Sequence, residues 1–252
     1  MIIEISEDGR VERREFLLIV HRGGRGFGPE NTLEALEAAL DHGVEMLETD
    51  VRMSRDGVPV ILHGPFLGLG LAARMDMREI RERAPHVPTL REYLEVAGGR
   101  CSLNLEIKRC DPGILARELK GAPHFPYLLI SSFDGDFLRS FRATGVDAEL
   151  GLLSQFEIGH ERMLREAAGC GAAVLLPVSM ATDDELVGEA HAAGLRVIPW
   201  TVNTLESLRD LVMAGCDGVI TDRYATFHDR LASGPLSGKG GEAEDPRDRK
   251  RR

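Results

Sequence analysis

Two carboxylates separated by one residue, Glu48 and Asp50, sit inside the apolar run Met46–Val51. Residues i and i+2 of a strand share a face, so both acids point the same way. In a barrel wrapped by helices that way is inward, and two inward carboxylates repel one another unless a cation lies between them. Glu106 stands in the same phase of the run Leu103–Lys108. Three oxygen donors, with no cysteine and with room for water, suit a hard divalent cation, Mg²⁺ or Ca²⁺, better than zinc. The competing structural reading pairs these acids with arginines.

Lys108 shares a face with Glu106. Only four of the 31 basic residues are lysine (Lys108, Lys120, Lys239 and Lys250), so a lysine inside a strand marks a place for a compact ammonium. It would face a carboxylate or a bound phosphate; the bland alternative is a plain ion pair with Glu106. Of the eight histidines, His42, His160 and His191 fall in or near helices, and His86, His124 and His228 fall in connections. Only His21 and His63 end apolar strands beside acids. Two imidazoles flanking a metal-bound phosphate would serve as general acid and general base, each worth ~10²–10⁴ in rate. The glycine-rich stretch Gly23–Gly28 has neither Walker A nor dinucleotide spacing and reads as a loop whose backbone passes close to the site. Pro29-Glu30-Asn31-Thr32 then starts a helix.

These residues need strands to aim them. Short apolar runs at Phe16–Val20, Met46–Val51, Ser102–Lys108, Tyr127–Ser131, Ala148–Leu153, Ala173–Val178, Arg196–Thr201 and Gly218–Thr221 alternate with segments of helical period. Among the latter are Thr32–Leu40, Ile114–Leu119, Glu161–Ala168, Asp184–Ala192 and Leu205–Met213, several ending at a glycine (Gly43, Gly145, Gly169, Gly194, Gly215). Such alternation predicts right-handed crossovers and a parallel sheet, here closed as a (β/α)8 TIM barrel. Val58–His63 follows the second strand across Asp56-Gly57, too close for a parallel neighbour. It reads as an antiparallel return strand carrying His63 over the mouth. The short insertion Gly64–Val87 reads as a loop or short helix.

The 252 residues form one barrel over 1–232 and a charged tail, 233–252, that reads as disordered. A net charge of −10 argues against a nucleic-acid partner. No apolar run approaches the ~20 residues of a membrane span. Four scattered cysteines (Cys101, Cys110, Cys170, Cys216) read as reduced thiols of a cytoplasmic protein. The implied partner is a small molecule.

The ordered motifs resemble those of the glycerophosphodiester phosphodiesterases. They are His21-Arg22-Gly23 with Pro29-Glu30-Asn31-Thr32; Glu48-Thr49-Asp50-Val51 with Asp56–His63; Leu103–Lys108; Ser132-Phe133; Pro199–Asn203; and Gly218–Asp222. The resemblance spans about residues 17–225. It implies a TIM barrel that hydrolyses glycerophosphodiesters to sn-glycerol 3-phosphate and an alcohol with Mg²⁺ or Ca²⁺. By motif, Glu48, Asp50 and Glu106 would hold the metal and His21 and His63 would be the acid/base pair. Arg22 and Lys108 would grip the phosphate, and Trp200 would wall the pocket. The chain departs from the family pattern in two places: Gly64 follows His63 where the family has aspartate, and the insertion before Pro88, which in the family helps cap the glycerol end, is shorter. The departures leave room for a lysophospholipase D or another alcohol specificity, with Phe66, Leu67, Leu69 and Leu71 meeting an acyl chain or forming a buried lid. They also leave room for a non-catalytic phosphodiester-binding barrel.

Overall fold

In the computed structural model, which describes residues 1–7, 10–155 and 159–237, the chain starts with a hairpin beneath the barrel. Ile2–Glu7 (β1) and Arg10–Glu15 (β2) pair antiparallel, with Ile3 opposite Arg14 and Ile5 opposite Glu12. Ile3 and Ile5 are buried whereas Ile2 and Val11 are exposed, so one face covers apolar side chains and the other meets water. The sequence reading places no strand before residue 16, because charged residues outweigh the isoleucines there.

Leu17–Val20 (β3) then leads into helix Leu33–Asp41 (α1) and strand Met46–Met53 (β4). The return strand is present. Pro59–Ile61 (β5) pairs antiparallel with β4, Val51 opposite Ile61, around a turn in which Gly57 takes a φ of +81°. The insertion is more ordered than a loop. It holds a small hairpin, Phe66–Leu67 (β6) with Gly70–Leu71 (β7), and the helix Met77–Arg83 (α2). Helix Leu90–Ala97 (α3) returns the chain to the barrel. From there strand and helix alternate: Ser102–Ile107 (β8), Pro112–Lys120 (α4), Leu128–Ser132 (β9), Gly135–Arg142 (α5), Glu149–Ser154 (β10) and His160–Cys170 (α6). Val174–Pro177 (β11), Asp184–Ala192 (α7), Arg196–Val197 (β12), Leu205–Met213 (α8), Gly218–Thr221 (β13), Tyr224–Ala232 (α9) and Leu236–Ser237 (β14) complete it. Helices α1–α5, α7 and α8 each begin after a Thr or Asp whose side chain accepts a first-turn amide hydrogen.

Eight parallel strands run in the order β12-β11-β10-β9-β8-β4-β3-β13. The β12–β13 seam is joined by single hydrogen bonds, Asp217 N to Val197 O at 2.9 Å, Ile220 N to Pro199 O at 3.0 Å and Val202 N to Ile220 O at 2.9 Å. The expected TIM barrel is therefore nearly closed. The seventh strand is shorter than the Arg196–Thr201 expected, because Pro199 offers no N–H to a ladder. Its line continues through the bridge between Val178 and Trp200. Ile19, Met46, Leu129, Val174, Leu176, Ile198 and Ile220 form an apolar cluster inside the barrel, separate from the larger one between strands and helices. Met46 lies in phase with Glu48 and Asp50, so the carboxylates stand directly above this plug.

Three smaller expectations are corrected. Gly169 lies within α6, which ends instead at Gly171 with φ +68°. His228 lies in α9, where its ring stacks on Tyr224, and not in a connection. The tail does not begin at 233, since β14 pairs parallel with β1, Ile5 opposite Leu236. Leu236 is buried, which explains why the chain stays attached; residues 238–252 lie outside the described residues. Because the β1–β2 hairpin packs at the end of the barrel away from the carboxylates, Ile3→Ala is expected to cost about 2–5 kcal/mol of stability, read by denaturant unfolding, while leaving kcat at the wild-type value.

Candidate active site

Glu48 and Asp50 project from β4 and Glu106 from the neighbouring β8, where Asp50 stands opposite Glu106 in register. All three are buried, and one oxygen of each lies within 4.8 Å of the others. The charge balance rejects the arginine-network reading. The one cationic side chain bonded to the cluster among the described residues is Lys108, 3.3 Å from Asp50 Oδ1 and in contact with Glu106 Oε1. Arg22 meets Glu48 through its backbone amide, not its guanidinium, at 2.8 Å. Glu48 Oε1 is buried with no hydrogen-bond partner among the described residues. Three carboxylates, one ammonium and an orphaned acceptor fit a bound divalent cation.

The electrostatics agree. Burial, reinforced by the charges of Asp50 and Glu106, holds the Glu48 carboxyl well above the usual carboxylate range. Burial raises Glu106 too, Asp50 adds to this, and Lys108 only partly offsets it. Lys108 is pushed above the ordinary lysine value: burial alone would lower it, but Glu106 and Asp50 outweigh burial.

Neighbouring loops hold the cluster in place. Asn31 adopts a left-handed backbone (φ +58°) and is buried. Its Nδ2 donates to Asp50 Oδ2 at 2.8 Å while its Oδ1 accepts from Thr49 Oγ1 at 2.8 Å. The sequence reading takes Asn31 only as part of a helix start, so this hold on Asp50 is missed. The glycine loop does pass close by: a Cβ on Gly24 would fall 2.4 Å from Ala35 O, and one on Gly26 would fall 2.6 Å from Asp222 O.

The structure brings both singled-out histidines to this rim. His21 follows β3, its Nε2 is 4.0 Å from Glu48 Oε2, and its Nδ1 is 2.8 Å from Asp222 Oδ1. His63 follows β5. Arg22 Nη2 donates to His63 Nε2 at 2.9 Å, and Arg52 Nε donates to the His63 carbonyl at 2.9 Å. Burial lowers the His63 pKa, as do the charges of Arg22 and Lys108, with Asp50 pulling the other way. Glu30 receives Arg22 Nη1 at 2.9 Å and Arg25 Nη1 at 3.4 Å. Gly64 faces open space, with nothing within 4 Å of an added Cβ, so packing does not require glycine there.

Trp200 is fixed by two neighbours. Its Nε1 donates to Leu176 O at 2.9 Å, and Phe133 meets it edge-on with centroids 5.7 Å apart. Lys108 Nζ lies 5.7 Å from the centre of the same Phe133 ring. The insertion hairpin is neither a buried lid nor wholly exposed. Leu67 packs on Val60, Met75 and Ile80, while Phe66 and Leu69 stand out in solvent. Asp222 and its partner Asn203 are the other site residues the sequence reading passes over. The available signal is Asp222's place directly after the last barrel strand.

The match to the model of the glycerophosphoryl diester phosphodiesterase family covers residues 21–226. The chain belongs to this family. It is 30% identical over 244 residues to the glycerophosphodiester phosphodiesterase of Caldanaerobacter subterraneus subsp. tengcongensis, covering 86% of this chain and 98% of that one. Among solved structures, it superposes on an Oleispira antarctica phosphodiesterase in complex with the product sn-glycerol-3-phosphate with a TM-score of 0.78. That pair is 26% identical, covering 86% and 97% of the two chains. The glycerophosphodiester phosphodiesterase of Thermotoga maritima gives a TM-score of 0.72 at 26% identity, covering 86% and 99%. The protein is a phosphodiesterase, and no helix among the described residues is long and apolar enough to cross a membrane.

The raised Glu48 carboxyl sets the sign of a pH test. A carboxyl whose folded pKa lies above its unfolded value destabilises the fold once ionised, and the penalty disappears as pH falls through the folded pKa. Without metal, Glu48→Gln is therefore expected to be more stable than wild type at neutral pH, with the difference shrinking towards pH ~4.5, where unfolded glutamates also protonate. Adding Mg²⁺ or Ca²⁺ at about 100 times Kd raises wild-type stability by ~2.7 kcal/mol and leaves Glu48→Gln little changed, both read by calorimetry.

Proposed function

We propose that this phosphodiesterase hydrolyses glycerophosphodiesters to sn-glycerol 3-phosphate and an alcohol, using His21 and His63 as its acid/base pair. The observation that carries the reading is that both imidazoles flank a buried carboxylate cluster short of positive charge. Glu48, Asp50 and Glu106 would hold a divalent cation, Mg²⁺ or Ca²⁺. When bound, the cation supplies Lewis-acid polarisation of the phosphoryl oxygens and neutralises charge that develops there.

The chain's own residues do the rest. Lys108, with an ammonium already beside Glu106 and Asp50, and Arg22 bind the equatorial phosphate oxygens, where fixed cations in a dry site count most. An incoming phosphate competes with His63 for the Arg22 guanidinium and so frees His63 Nε2 for proton transfer. His21 already has its Nδ1 engaged by Asp222, which leaves Nε2 to take the proton of the attacking hydroxyl, from water or from the substrate's own 2-hydroxyl. His63 Nε2, once freed, takes up a proton from solvent and gives it to the departing alkoxide. Trp200 and Phe133 wall the alcohol side and exclude water. The site has lost neither histidine nor any of the three acids, which argues against a barrel that only binds phosphodiesters.

A second substrate reading, lysophospholipase D, draws support from the exposed Phe66 and Leu69 on the insertion hairpin that follows His63, apolar surface able to meet an acyl chain. Rates on glycerophosphocholine and lysophosphatidylcholine separate the two.

The deciding assay follows glycerol 3-phosphate release from a panel of glycerophosphodiesters with Mg²⁺, Ca²⁺ or chelator. Release is expected with a cation and absent with chelator. His21→Ala and His63→Ala should each lose about 10²–10⁴-fold in kcat while retaining the melting temperature and cation binding. Full activity in either variant overturns the acid/base assignment.

A further inference from the structure

Building on the acid/base role proposed for His21, we infer that Asp222 is a positioning residue of the reaction, holding His21 as the Nδ1–H tautomer with its Nε2 lone pair aimed at the carboxylate cluster. Asp222 follows β13, and the same strand end grips the His21 backbone, whose amide donates to Thr221 O at 3.0 Å. Ring and main chain of His21 are thus both tied to one rigid element.

The pairing has one direction. An ionised carboxylate only accepts, so the 2.8 Å bond from His21 Nδ1 to Asp222 Oδ1 requires the proton on Nδ1. The neutral ring then carries its lone pair on Nε2, the nitrogen that faces Glu48. Asp222 is in turn built to stay ionised and still. Asn203 Nδ2 donates to its Oδ2 at 2.8 Å, and Asn203 Oδ1 accepts its backbone amide at 3.0 Å. Arg25 Nε lies 3.6 Å from its Oδ1. Burial alone would raise the Asp222 carboxyl, but the hydrogen bonds from His21 and Asn203 and the Arg25 charge outweigh it and hold it below the usual carboxylate value. Gly26 lets the glycine loop pass against the Asp222 carbonyl, where any Cβ would collide. A carboxylate that only anchored this loop would not need to meet the imidazole.

The test uses the full chain labelled with ¹⁵N-histidine, with His21 assigned by its loss in His21→Ala. In the neutral ring the wild-type His21 should show Nδ1 protonated and Nε2 bare. Asp222→Asn keeps the size of the side chain and presents an amide that donates to Nδ1 instead. It should move the His21 proton to Nε2 and lower kcat by about 10²–10⁴-fold, with KM within about threefold of wild type. A wild-type ring protonated on Nε2 overturns the inference whether or not the variant folds. So does an Asp222→Asn enzyme with wild-type kcat when His21→Ala is inactive. Full activity in His21→Ala is a different failure: it removes the acid/base reading on which the inference stands.

Discussion

Uncompensated negative charge at the barrel mouth governs the rest of this molecule. Among the described residues, Glu48, Asp50 and Glu106 are buried together against a single ammonium, that of Lys108. Carboxylates gathered in this way oppose folding when ionised, because each has lost its water and gained a like-charged neighbour. Packing does not require them, since the apolar plug beneath them, from Met46 to Ile220, already fills the barrel. The three acids lie close enough to hold one divalent cation, which would offset that repulsion.

The surrounding elements hold that arrangement without neutralising it. Asn31 fixes Asp50 with a neutral amide, and the Arg22 amide fixes Glu48. The arginines nearest the site are engaged elsewhere: Arg22 and Arg25 share Glu30, and Arg52 supports the His63 carbonyl. An arginine bonded directly to the cluster would stabilise the empty fold and compete with a cation. Keeping guanidinium groups one step away preserves the charge deficit while leaving Arg22 within reach of an anion beside His63.

The mouth is built from two independently held parts. Packing does not demand glycine at position 64, and His63 is held through Arg22 and Arg52. The insertion folds as a hairpin and a helix on its own small apolar cluster and leaves Phe66 and Leu69 uncovered.

Much of this was legible in the chain alone. Period-two placement put Glu48, Asp50 and Glu106 on one face; Asp56-Gly57 announced the return strand; and strand–helix alternation set the barrel, since each of these is a local rule of backbone geometry. Local rules did not reveal the β1–β2 hairpin, whose charges mask its two buried isoleucines, or the attachment of Leu236 to β1 from the far end of the chain. Nor did they assign Asn31 to Asp50 or Asp222 to His21. Asp222 lies 201 residues from the imidazole it orients, and that partnership exists only because closing the barrel sets the last strand beside the first. Residue types and spacing therefore determined which chemistry was present and which way each strand would aim it. Tertiary structure decided which side chains would meet, because a hydrogen bond depends on distance in space and not on separation along the chain.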